Sequence, residues 1–263
     1  MGRIYQAPTR RALLAAVGAA GATALAGCQS GEEPTGTSAG DPTGTPGAGT
    51  TPDASGLPPG TSDGGIDDVS TLVSATQAAL RANDYAVETT VPLGDGETVT
   101  ITIRSSLSRE RQRYVFDAPS ETNRRYVAGG TSYLQATAEG ETTYRTSTVD
   151  GFAAVHEDND QVSLLNDGES LGGLLRSGAY TPAGTVTRDG RRLREFTAEW
   201  AEDDIDLTLV AEAAGALVSA DGVVFAASLP YTTPAIDGVV DWSFTIRALG
   251  DVTVSEPDWV QSA

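Results

Sequence analysis

Residues 121–148 read ETNRRYVAGGTSYLQATAEGETTYRTST. Three strand-like runs lie in this stretch, at Arg124–Ala128, Thr131–Ala138 and Glu141–Ser147. Gly129-Gly130 separates the first pair and Glu139-Gly140 the second. Two-residue turns of this kind suit tight hairpins, because glycine adopts the positive φ that such turns need.

The same pattern spreads outward on both sides. Upstream, Val99, Ile101 and Ile103 alternate with Thr98, Thr100, Thr102 and Arg104, which is the period of a half-buried strand. Tyr85, Val87, Thr89 and Val91 alternate likewise, and Arg113–Asp117 is a further run. Downstream, Asp189-Gly190 and Asp221-Gly222 sit between strand-like runs. Ile205, Leu207 and Leu209 alternate, as do Trp242, Phe244 and Ile246 against Ser243, Thr245 and Arg247. Val252 and Val254 are expected to begin a last strand before Pro257 and Trp259.

Two segments break the strand series. Ile66, Val69, Leu72, Val73, Ala79 and Leu80 recur at helical spacing, and Asn83 is a plausible stop. Leu164, Leu165, Leu171, Leu174 and Leu175 also fall near helical spacing. Gly168, Gly172 and Gly173 weaken that run, so two short helices are expected there. The order is a helix, about five strands, a short helical segment and about six strands. It predicts an α+β domain with a curled antiparallel sheet of about 10–11 strands and helices on the concave face.

The chain has 263 residues and a formal charge of −19, with 36 Asp and Glu against 17 basic residues. Every basic residue is Arg, and there is one Cys, one His and one Met. Such acidity repels nucleic-acid phosphate, so no nucleic-acid partner is expected. One Cys makes neither an internal disulfide nor a Cys-rich zinc site, and no metal or cofactor is expected. A surface this acidic would push the fold apart in ordinary salt. At molar salt the Debye length falls to about 3 Å and the repulsion is screened. The composition resembles that of proteins from extremely halophilic archaea.

The N-terminal segment reads as an address. Arg10 and Arg11 precede an Ala/Gly-rich apolar run from Ala12 to Ala26. As a helix this run would span about 22 Å, short of the roughly 30 Å hydrocarbon core but right for a signal-peptide h-region. The twin arginine resembles a Tat export signal. Leu13 stands where Phe is common and no Lys follows, so Sec export fits as well. Leu25-Ala26-Gly27-Cys28 resembles a lipobox, with Cys28 lipidated on sulfur and left as the new N-terminus. Two acyl chains there would anchor the protein stably at the membrane. Loss of Arg3, Arg10 and Arg11 with the leader takes the charge from −19 to −22.

Three regions follow: a signal peptide at 1–27, the lipidated Cys28 with a disordered Gly/Pro/Thr-rich tether at 28–65, and a folded domain at 66–263. Between 29 and 65, Leu57 is the only large apolar residue beside ten Gly, six Pro and seven Thr. Such a segment cannot offset its ordering entropy by burial. As a flexible coil it reaches roughly 30–35 Å. The expected location is the extracellular side of the cell membrane.

From the helix running into "RANDYAVETTV", the paired hairpins and the leucine helices before "AGTVTRDGRRLREF", residues 66–263 resemble the LolA/LppX/LprG group of lipoprotein-associated lipid carriers and their haloarchaeal lipoprotein relatives. The resemblance implies a half-open barrel around an apolar cavity that takes a lipid's acyl chains.

Few constellations suggest chemistry. Gly168-Glu169-Ser170-Leu171-Gly172 matches the nucleophile elbow of α/β-hydrolases. In that fold the histidine follows the serine, whereas the sole histidine, His156, precedes Ser170 by 14 residues. The plainer reading is a helix start capped by Asp167 or Ser170, and no enzyme activity is expected. His156 itself, in "VHEDNDQ", is expected to be a solvated loop residue. Arg188, Arg191, Arg192 and Arg194 cluster around one hairpin. They could take an anionic headgroup through bidentate contacts, or pair across strands with Glu195, Glu199 or nearby Asp. Two functions fit: a non-catalytic lipoprotein that binds or carries a lipid or other apolar ligand, and an envelope interaction module with a packed core that docks a protein partner.

Overall fold

The computed structural model describes residues 56–94, 97–157, 171–200, 208–234 and 236–263. The chain divides into two units, Met1–Thr51 and Pro52–Ala263, and every described residue belongs to the second.

The first helix, α1 (Val69–Ala82), follows from its apolar spacing. Leu72, Val73, Thr76, Gln77 and Leu80 form one buried stripe. Asp68 caps the start: its Oδ1 accepts from the backbone N–H of Thr71 at 3.1 Å. Asn83 ends the helix with an extended backbone, and its Nδ2 donates to the Ala79 carbonyl at 2.8 Å. Among the described residues two short α-helices follow later, α2 (Phe152–Glu157) and α3 (Leu171–Ser177). The apolar periodicity did not mark α2.

The sheet begins with a meander: β1 (Tyr85–Gly94), β2 (Glu97–Ser106), β3 (Arg111–Ala118), β4 (Glu121–Ala128), β5 (Thr131–Ala138) and β6 (Glu141–Thr148). The expected turns form, with Glu139 at φ 52° and Gly140 at φ 83°, the positive values of a primed two-residue turn. After α3 come β7 (Gly178–Arg188), β8 (Arg191–Trp200), β9 (Thr208–Leu209), β10 (Gly215–Ser219), β11 (Val224–Ser228), β12 (Tyr231–Thr233), β13 (Ile236–Val240) and β14 (Ser243–Leu249). Among the described residues, eleven strands form one antiparallel sheet in the order β6-β5-β4-β3-β2-β1-β14-β11-β10-β8-β7. β6 and β7 are its two edges, so the sheet is not closed into a barrel. A separate three-stranded sheet, β13-β12-β9, was not foreseen.

One face of the large sheet carries Val87, Ile101, Ile103, Tyr114 and Phe116, which cluster with Leu72, Leu80, Leu171 and Leu174 of the helices. α1 touches α3 and β11, and α3 also touches β7 and β14. Full burial of one such leucine contributes about 1.5–3 kcal/mol. Thr76 adds a polar tie: its Oγ1 donates to Leu72 O at 2.7 Å and accepts from the Val224 N–H at 3.0 Å. That bond satisfies the first N–H of β11, beside an irregularity in the β10–β11 register.

Two expectations change. The tether was to extend to residue 65, but Pro58 and Gly65 are buried. Ser62 and Gly65 exchange backbone bonds at 2.8 and 3.3 Å, and the N–H groups of Asp67 and Asp68 donate to Gly60 O. Gly65 lies so close to β7 that a Cβ on it would sit 2.0 Å from Tyr180 O. Glycine content suggested disorder here, whereas it permits close backbone docking. Likewise, Val252 and Val254 do not begin a strand. They form a strap over the opposite sheet face, where they bury Ala86 and Tyr126 with Trp259 packed beside them. Alternate burial is common to a strand and a strap; only ladder bonding separates them.

Candidate functional site

The arginine hairpin is built by β7, β8 and the turn Asp189-Gly190, with φ 49° and 74°. Arg188 and Arg191 are directly opposite across the turn. Strand alternation then divides the expected cluster. Arg191 and Leu193 share one face of β8, while Arg192 and Arg194 take the other. A groove of about 270 Å³ opens on the first face, with Arg188 and Arg191 at its rim and Leu193, Phe225, Ile246 and Leu249 among its lining.

Arg247 also lines this groove. It was missed as a site residue because it lies far along the chain and enters through strand order. Its NH2 pairs with Glu88 at 2.6 Å. Arg191 is held by its own contacts: NH2 donates to Leu249 O at 3.1 Å, and the guanidinium lies 5.3 Å from the Phe225 ring centroid. Neither Arg192 nor Arg194 lines the groove. Arg194 is half-buried opposite Val218, and its Nε has no hydrogen-bond partner among the described residues. None of the four hairpin arginines forms an ion pair among the described residues, so the alternative of pairing with Glu195, Glu199 or a nearby Asp is not seen there. The groove offers cationic donors above an apolar floor, at the small end of ligand-pocket volumes.

His156 corrects its expectation outright. It is 0 % exposed, on α2 rather than in a solvated loop. Nε2 lies 3.2 Å from the Arg81 carbonyl, which only accepts, so Nε2 carries the proton. In the neutral ring, Nδ1 then accepts from Ser105 Oγ at 2.7 Å. Tyr85 and Phe152 flank the ring, with centroids 5.2 and 6.0 Å away. Gln112 Nε2 lies 3.4 Å from both Ser105 Oγ and Val155 O, joining β2 and β3 to α2. The acidic neighbours of His156 in sequence hid this role.

Two carboxyls are electrostatically distinctive, both at chain turns. Asp68 is held at about 2, chiefly by hydrogen bonds from Ser70 and Thr71. Burial works against the charge on Asp84, but bonds from Ser106 Oγ and the Leu107 N–H outweigh it and hold the carboxyl below its usual range. Burial alone pushes the Tyr180 hydroxyl up; that hydroxyl donates to Leu174 O at 3.2 Å. Among the described residues, no group of three or more His, Cys, Asp or Glu is placed to hold a metal ion.

Cys28, with Arg10, Arg11, Leu25, Ala26 and Gly27, lies outside the described residues, as do Ser170, Leu164 and Leu165. No described helix is long and apolar enough to cross a membrane.

No protein-family model matches the chain, and no curated protein matches it. Among solved structures it is similar to MucB in complex with MucA(peri), at 14% identity and a TM-score of 0.29 over 74% of this chain and 60% of that one. It is similar also to the Pseudomonas aeruginosa MucA/MucB complex, at 12% identity and a TM-score of 0.32 over 74% and 61%. MucB alone gives 13% identity and a TM-score of 0.29 over 74% and 63%. The chain thus spans about three fifths of the length of these structures.

Proposed function

We propose that the protein is a non-catalytic binding module of the extracytoplasmic space, exported by its twin-arginine leader and anchored through lipid on Cys28. In this reading it docks a partner on its sheet instead of carrying a lipid inside. The observation that carries the reading is the interlock of helices and sheet. Leu72, Leu171, Leu174 and Phe244 have no exposed surface and share one cluster with Ile101 and Phe116. A lipid carrier of the LolA-like kind needs an acyl-sized void between those layers. The half-open barrel with helices on its concave face is the architecture we propose, supported by the unjoined edges and by the gathering of helices on one face. The absence of catalysis is supported by the closure of the Ser105–His156 pair to solvent.

A second reading rests on the groove at Arg188 and Arg191. Its apolar floor and cationic rim suit one end of an anionic amphiphile. Membrane fractionation with solvent extraction and mass spectrometry separates the two. The full chain is expected in the membrane fraction, Cys28→Ser in the soluble fraction, and the purified Cys28→Ser protein free of bound lipid. A stoichiometric lipid in every preparation would overturn the docking reading in favour of carriage. A Cys28→Ser protein that stays with the membrane would overturn the anchor.

A further inference from the structure

The two edges of the large sheet are treated differently. β7 carries Pro182 and Gly184, with a register shift between them. Proline and a bulge are ordinary ways to blunt an edge against pairing. β6 has neither. It pairs with β5 through eight unbroken positions, and all eight of its residues are exposed.

The bond from the Val149 N–H to Gly130 O fixes the ladder's phase. Antiparallel bonding alternates, so Ser147, Arg145 and Thr143 bond inward to β5. Thr142, Tyr144, Thr146 and Thr148 then turn their N–H and C=O groups outward, where β6 has no second neighbour among the described residues.

Charge marks this end of the sheet. Residues 97–148 hold seven of the 17 arginines against six acids, in a chain of net −19. That is a local balance of +1, so the rest of the chain carries −20. On one face, Arg104 stands directly opposite Arg113, and Val115 of β3 opposite Arg124. Like charges opposite one another are unfavourable, and Arg104, Arg113 and Arg124 form no ion pair among the described residues. Arg124 NH1 donates to Gln135 Oε1 at 3.2 Å, and Gln135 Nε2 donates to Tyr144 Oη at 3.3 Å. The relay ends at the Tyr144 hydroxyl proton on the edge strand, where the side chain is 42 % exposed. On the other face, the exposed Arg145 stands opposite Leu134.

We propose that β6 is a docking edge for an extended acidic segment of a partner polypeptide, which adds to the sheet as a twelfth strand. This deepens the docking reading above and rests on it. The backbone of Thr142, Tyr144, Thr146 and Thr148 supplies the hydrogen bonds, the general mode of strand addition. Specificity comes from two adjacent carboxylates on the incoming strand. One accepts from the Tyr144 hydroxyl on the first face, and the other pairs with Arg145 on the second, because neighbouring strand residues point to opposite faces. Threonine or valine fits the remaining positions beside Thr142, Thr143 and Thr146. A second copy of this chain fits poorly. Its β6 brings one acid, Glu141, at the end of the strand, and it would set two arginine-bearing faces side by side.

The test uses the full chain carrying Cys28→Ser, in molar KCl. The probe is a fluorescein-labelled peptide of about eight residues, with two adjacent Glu flanked by alternating Thr and Val; its counterpart has Lys for Glu. Anisotropy is expected to give saturable binding of the Glu peptide and none of the Lys peptide. Thr146→Pro removes an outward N–H without touching the β5 ladder, and it is expected to weaken binding about tenfold or more. Arg145→Glu should do the same. If Thr146→Pro does not fold, the Glu peptide N-methylated at alternate residues on the unsubstituted edge gives the same comparison, and methylation should abolish binding. Equal binding of the two peptides, or binding indifferent to Thr146→Pro and to methylation, overturns the proposal. So does a dimer sensitive to Thr146→Pro that binds neither peptide. These outcomes differ from the failure of the docking reading, which is a bound lipid.

Discussion

Gly65→Ala tests whether residues 57–65 belong to the folded domain. Gly65 is buried at φ +145°, a backbone conformation that residues with a side chain rarely adopt. The new methyl would lie 2.0 Å from Tyr180 O, where ordinary contact begins near 3.4 Å. Tyr180 O is backbone in β7, which is tied along its length to β8, so it cannot swing aside. The segment must lift by more than an ångström, and it then loses the bonds between Ser62 and Gly65 and the burial of Pro58. Strain of this kind costs about 1–3 kcal/mol. For a domain of this size that lowers Tm by about 2–12 °C.

The neighbouring glycine supplies the control. A methyl on Gly64 meets only Ser62 Oγ, at 3.3 Å, in an exposed position. Gly64→Ala is therefore expected within about 0.5 kcal/mol of the parent. Thermal and urea unfolding at fixed molar salt, on parent and both variants, gives the comparison. In a free tether both substitutions would be silent. A Gly65→Ala protein as stable as Gly64→Ala would refute the docked turn and return residues 57–65 to the tether.

Thr76→Val should cost about 1–3 kcal/mol in urea unfolding, because the buried Val224 N–H loses its acceptor; Thr76→Ser should recover most of it. His156→Ala should cost about 2–4 kcal/mol, leaving Ser105 and the Arg81 carbonyl without the ring between them. Asp68 titrates lower in the folded state than in the unfolded one, so its contribution is complete above about pH 4 and is lost as pH falls toward 2. The stability advantage of the parent over Asp68→Asn should therefore shrink across that window and stay level from pH 5 to 7.

Strand content was legible wherever one face is buried and the other wet. Val99, Ile101 and Ile103 alternate with threonines, and β2 forms where they do. The two-residue turns were legible for a separate reason: glycine relieves a local steric constraint that no distant contact can change. What sequence could not carry was bonding across distance. Val252 and Val254 have the spacing of a strand, but Arg109 holds the Val252 carbonyl at 3.0 Å and pairs with Asp251 at 3.3 Å, and the segment crosses the sheet instead of joining it. His156 lay among acids in the sequence, and its burial depends on Ser105, 51 residues earlier. The arginine hairpin was half-legible. Proximity along the chain suggested four partners, but alternation leaves two of them in the groove, and Arg247 arrives from β14, late in the chain and three places from β8 in the sheet order.

The pairing of β1 with β14 has a consequence for how the protein forms. The meander β1–β6 is local, each strand pairing with the next, and hairpins of this kind close in microseconds. The seam is different. Thr89 Oγ1 bonds Ser243 O, 154 positions further along the chain, and the whole sheet is continuous only once that seam closes. Contacts so distant in sequence must overcome loop-closure entropy before they return any stabilisation, which places the domain among slow folders. Until the seam closes, β1 is itself a bare edge. The nascent molecule therefore passes through a period with an unguarded strand at its centre, open to pairing with other chains until β14 arrives.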